Sequence, residues 1–108
     1  MGRKVKVAAG VVVGLVSLSM AAWSDNAAQA FDSVMTKMHQ AMMMDYAGDP
    51  DVHFIKSMIP HHQGAIDMAE VELKYGKDPE ARALAERIIE AQKAEIAEMN
   101  GWLKARGQ

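Results

Sequence analysis

Apolar side chains along most of the chain recur every three to four residues, the spacing of a helix that shows one face to a core. A first helical stretch is predicted over 31–45, where Met35, Met38 and Met42 share a face. Ala47-Gly48-Asp49-Pro50 breaks it. A second helix follows over about 51–75, with Asp49 or Asp51 as its cap, Pro50 in its first turn and Gly76 as its stop. Asp78 and Pro79 open a third, which runs to about residue 106. No segment alternates apolar and polar residues over a strand's length. The pattern therefore predicts an all-α fold, a small antiparallel bundle of three long helices. Pro60 lies inside the second helix, where it removes one backbone hydrogen bond and costs about 3 kcal/mol in an ordinary interior. That helix is expected to kink there or to divide into 51–59 and 60–75.

On the second helix, Ile55, Ile59, His62, Ile66, Ala69 and Leu73 form one stripe, opposite Lys56, Gln63, Asp67, Glu70 and Lys74. A histidine thus stands on the face expected to be buried. Phe54, His61 and Met68 occupy the next shoulder. The third helix carries Ala81, Leu84, Ala85, Ile88, Ala91, Met99, Trp102 and Leu103 in one stripe, with Gln92 and Glu95 inside it. A buried carboxylate requires a partner. Antiparallel packing about Lys77 sets residue 62 level with about 92, and 58 with about 96. Gln92 and Glu95 then approach His61 and His62, and are expected to hold the imidazoles in one tautomer rather than to ligate directly.

The first thirty residues differ from the rest. Arg3, Lys4 and Lys6 precede the uncharged run 7–20, and a more polar stretch ends in Ala28-Gln29-Ala30. This is the plan of a secretory signal peptide, with cleavage expected after Ala30, or else near Ala22. An uncleaved anchor is the alternative, at the short limit for a membrane span. Both place residues 31–108 outside the cytoplasm, in the periplasm or secreted. Only the anchor would touch a membrane.

Residues 31–108 are a single metal-binding domain by expectation. They carry nine basic and thirteen acidic side chains, a net charge of −4, which disfavours nucleic acid. With no cysteine in the chain, disulfides, thiolate metal sites and cysteine catalysis are excluded. A small exported domain without disulfides needs another staple, such as a metal or a second subunit.

Methionine is the anomaly: ten, against six aromatic residues. Met35, Met38, His39, Met42, Met43 and Met44 stand within ten positions, although a core gains shape from Leu or Ile instead. Met58 lies one turn from His61 and His62. Thioether sulfur suits Cu(I), and imidazole suits Cu(I), Cu(II) and Zn(II). These nine residues are the candidate metal ligands, with His53, Met68 and Met99 as weaker candidates. Plain packing is the competing account of Met68 and Met99. No nucleophile–base pair or phosphate loop stands out, and the di-iron Glu-x-x-His pattern is absent.

Met58-Ile-Pro-His-His-Gln-Gly-Ala-Ile-Asp-Met-Ala69 resembles the signature of an exported bacterial family catalogued as domain of unknown function 305. Asp78-Pro79-Glu80, Ile88-Ile89-x-Ala91-Gln92 and Glu95-Ile96-x-x-Met99-x-x-Trp102-Leu103 are similar to it as well. The chain departs from that pattern at His53, where the family would have Asp. The resemblance implies a ferritin-like, four-helix-bundle-like fold and, for some members, periplasmic copper binding. It implies Met58, His61 and His62 as ligands, together with the methionines and histidine of the first helix.

The expected function is copper binding, Cu(I) before Cu(II), for sequestration or delivery in copper tolerance, with no catalysis. A metal-dependent oxidase using the histidine pair, or an interaction module without metal, are the alternatives. A copper donor or acceptor protein and a second copy of the chain are the candidate partners.

Overall fold

Capping chemistry sets the helix boundaries in the computed structural model, which describes residue 2 and residues 10–108, with side chains from residue 22 onward. Arg3, Lys4, Lys6 and most of the uncharged run proposed as a signal peptide thus lie outside the described residues or side chains. Helix α1 spans Gly10–Met42, 33 residues. It starts earlier than the expected 31–45, since neither Gly nor Pro occurs between Leu15 and Ala47. It also ends three residues sooner, where the backbone turns away toward Gly48 at φ 82°.

Helix α2 spans Pro50–Tyr75, and the Asp49 carboxylate accepts the N–H groups of Asp51 and Val52 at 2.8 and 3.4 Å. It runs unbroken through Pro60, so the helix does not divide there. At its end the Gly76 N–H donates to the Glu72 carbonyl at 2.6 Å. Helix α3 spans Pro79–Lys104, and the Asp78 carboxylate accepts the Ala81 N–H at 2.9 Å. Arg82 ties the connection down by donating to the carbonyls of Leu73 and Gly76 at 2.7 and 3.0 Å.

As the antiparallel packing predicts, the Glu95 carboxylate meets His62, while Gln92 is not its hydrogen-bond partner. Residues 76–78, centred on Lys77, connect the two helices.

The three helices lie side by side with α2 in the middle. Gly64, Asp67 and Tyr75 face α1, through Met38, Lys37 and Trp23 respectively. His62 faces α3, and these two sets are about 180° apart on the α2 wheel. Among the described residues, no Cα of α1 lies within 8 Å of one of α3. The molecule measures 90 × 26 × 15 Å, so three helices make its width and one makes its thickness.

Burial is correspondingly shallow. Val52, Ile66, Ala69, Val71, Ala85, Met99 and Leu103 are buried, and no large described side chain is fully so. Two expected core positions of α3, Leu84 and Ala91, are exposed, and the Glu95 side chain is 53% exposed. A single layer leaves these outer parts of the α3 stripe uncovered.

Candidate metal centre

The candidate ligands fall into two hollows, not one cluster. The first lies on α1 and the residue after it: Met38, His39, Met42 and Met43 line about 300 Å³ of open space. Successive turns of one helix place the three thioethers and the imidazole together. His39 and Met43 are exposed, and Met38 and Met42 are half-buried. Met35 stands one turn before His39 and is 39% exposed. Met44 is turned elsewhere, with its sulfur accepting the Ser57 hydroxyl at 3.9 Å. The Met38 side chain also packs on Gly64 of α2, where any side chain would overlap it.

The second hollow opens between α2 and α3. Phe54, Ile55, Met58, His62, Glu95, Glu98 and Met99 line about 280 Å³. The sequence reading missed Glu98, although its spacing of three from Glu95 was the available signal. Gln92 is half-buried one turn away and is not the partner of His62.

His62 is held at both ends. Its Nδ1 lies 2.8 Å from the Met58 carbonyl, and its Nε2 meets the Glu95 carboxylate. A carbonyl and a carboxylate both only accept, so the ring satisfies both when each nitrogen carries a proton. In that state the ring has no lone pair for a metal. His62 can ligate once it gives up one of these contacts: through Nε2 if it leaves Glu95, or through Nδ1 if it leaves the Met58 carbonyl while Nε2–H stays on Glu95. His61 points differently: it is exposed, with its ring centroid 6.3 Å from that of His62.

The remaining candidates are dispersed. His53 sits in the first turn of α2, where its Nδ1 accepts the Ala47 N–H at 3.3 Å and its ring lies 5.1 Å from that of Tyr46. It lines neither hollow. Met68 is 40% exposed on α2, whereas Met99 is buried at the back of the second hollow. Among the described residues, no three His, Asp or Glu side chains are grouped to hold a metal ion.

A family model described as a domain of unknown function matches residues 51–108, all of α3 and nearly all of α2. The chain belongs to this family, DUF305. The DUF305 match contains Met58, His61, His62 and Glu95, while the α1 hollow lies before it. An uncharacterized protein of Acanthamoeba polyphaga mimivirus is 43% identical over 56 residues, which is 52% of this chain. The matched segment spans 37% of that relative's length.

Proposed function

We propose that the chain binds copper as Cu(I) through methionine and histidine, and sequesters or delivers it outside the cytoplasm. The observation that carries this reading is the α1 hollow, where three thioethers and one imidazole gather with no carboxylate among the lining residues. That donor set is soft and suits Cu(I) better than Cu(II) or Zn(II), which favour nitrogen and oxygen. The second hollow, with Met58, Met99 and His62, offers a further set once His62 gives up one of its two hydrogen bonds. Export is inferred from the basic start, the apolar run and Ala28-Gln29-Ala30. Among the described residues, no helix is long and apolar enough to cross a membrane. The reading is of a binding protein, with copper as cargo for a donor or acceptor protein.

Anaerobic Cu(I) titration of the full chain and of a variant with Met38, Met42, Met43 and Met44 replaced by Leu tests this. Such swaps conserve volume and usually cost under about 1.5 kcal/mol each. The variant is expected to keep its helicity and lose Cu(I) equivalents, with Zn(II) binding little changed. A folded variant with the parent's full Cu(I) count would remove α1 from the site.

A further inference from the structure

A single layer of helices is an incomplete domain. Stable domains pack at least two layers, because each layer has an apolar face to cover. Here the two broad faces differ sharply. Eight large hydrophobic side chains are exposed among the described residues. Three of them, Met43, Met44 and Tyr46, belong to the α1–α2 connection, and Trp23 packs its ring on Tyr75. The other four are Met35 on α1, Phe54 and Met68 on α2, and Leu84 on α3. Their helical angles, taken with the antiparallel order of the helices, bring all four to one broad face. His39 and His61 lie on that face too, and the methionine–histidine hollows open there. The opposite face carries Lys37, Gln63, Glu70 and Lys74, with Lys37 paired to Asp67 at 3.8 Å.

We infer that the apolar face is covered by a second copy of this chain, giving two three-helix layers face to face. The dimensions fit. Helices α2 and α3, of 26 residues each, are about 39 Å long at 1.5 Å per residue. Over the 26 Å width the face offers about 1000 Å² per copy. A stable interface needs about 800 Å² per partner. Two-fold pairing sets the same patch against itself, so the apolar side chains of α1 and α2 meet, Glu95 and Glu98 of the second hollow stand on the α3 side of the contact, and the faces with Lys37, Gln63, Glu70 and Lys74 stay in water. Unbranched methionines adapt to such a contact better than shaped side chains do. The pairing does not depend on the copper reading, because burial of apolar surface drives it.

Sedimentation of the full chain with a copper chelator present tests the proposal. The chain holds no cysteine, so one introduced thiol reports on one position. The parent is expected at twice its monomer mass. Met68→Cys should react with a thiol reagent several-fold more slowly than Gln63→Cys, and the protection should fade on dilution. Phe54→Glu combined with Leu84→Glu should give a monomer, while Gln63→Glu combined with Lys74→Glu should leave the dimer intact. Should the face variant lose its helicity, the thiol rates in the otherwise unchanged chain decide. A parent that is monomeric overturns the proposal and leaves the face to another partner. A dimer in which residue 68 reacts as fast as residue 63 overturns it as well, because the contact then lies elsewhere. Pairing seen only after Cu(I) is added also overturns it, whereas a metal-free dimer that takes up no copper refutes the copper reading alone.

Discussion

At the scale of single residues, His61 and His62 are neighbours with different chemistry. His62 is bracketed by the Met58 carbonyl and the Glu95 carboxylate, whereas the His61 ring is exposed. A metal must displace either Glu95 or the Met58 carbonyl from His62, whereas the exposed His61 ring offers a nitrogen without that competition. His61→Ala is therefore expected to weaken Cu(I) binding more than His62→Ala, and the double variant by at least about tenfold. Glu95→Ala identifies the ligating nitrogen: in that background His62→Ala should cost more than in the parent where Nε2 binds, and less where Nδ1 binds with Glu95 as its support. Cu(I) competition titrations on the parent and the five variants check the order, with circular dichroism as the control for folding. A double histidine variant that unfolds while binding copper as well as the parent would make both residues structural.

At the scale of elements, the α1–α2 contact turns on Gly64. An alanine there would gain about 1 kcal/mol of helix propensity on an open helix. Its methyl would overlap the Met38 side chain, which is in contact with the Gly64 backbone. The overlap is expected to win, since overpacking costs about 1–3 kcal/mol. Gly64→Ala should lower the denaturation midpoint, and adding Met38→Ala should restore it in part. A higher midpoint for Gly64→Ala alone would show that α1 rides loosely on α2. The caps act locally: Asp49→Ala and Asp78→Ala should each cost about 1 kcal/mol, read from denaturant melts, because each carboxylate accepts N–H groups at a helix start.

At the scale of the whole molecule, processing of the N-terminus, if the expected signal peptide is removed, would decide how much of α1 remains. Cleavage after Ala30 would leave only 31–42 of that helix. It would also remove Trp23, whose indole N–H donates to the Tyr75 carbonyl at 3.4 Å and whose ring stands edge-on to the Tyr75 ring at 5.3 Å. Cleavage near Ala22 would keep that contact. In both products the α1 hollow survives, since Met38, His39, Met42 and Met43 lie well downstream. Mass spectrometry of the protein from its native host is expected to show a start at Phe31 or near Ala22. An intact Met1 in a cytoplasmic fraction would refute export. If Trp23 is retained, Tyr75→Ala should shift the tryptophan emission; if the chain starts at Phe31, only Trp102 remains to report.

The amino-acid sequence by itself determined where α2 begins and ends and where α3 begins. Asp49, Pro50, Gly76, Asp78 and Pro79 act on the backbone next to them, so their effect needs no distant partner. It also determined which residues share a turn, including Met38 with Met42 and Met58 with His62, because a helix has one geometry. Family membership was legible for the same reason, in a local run of side chains around His61 and His62. Only the tertiary structure decided which neighbour each face would meet. Of the two partners that antiparallel packing offered His62, the tertiary contact selected Glu95 over Gln92. The packing of Met38 on Gly64 put α1 on the side of α2 opposite α3, and so separated the methionines of α1 from Met58 and His62. The same arrangement left Leu84, Ala91 and Glu95 uncovered, although their stripe reads as core. Periodicity tells which side of a helix is apolar, but burial depends on a second surface, and its position follows from contacts between residues far apart in the chain.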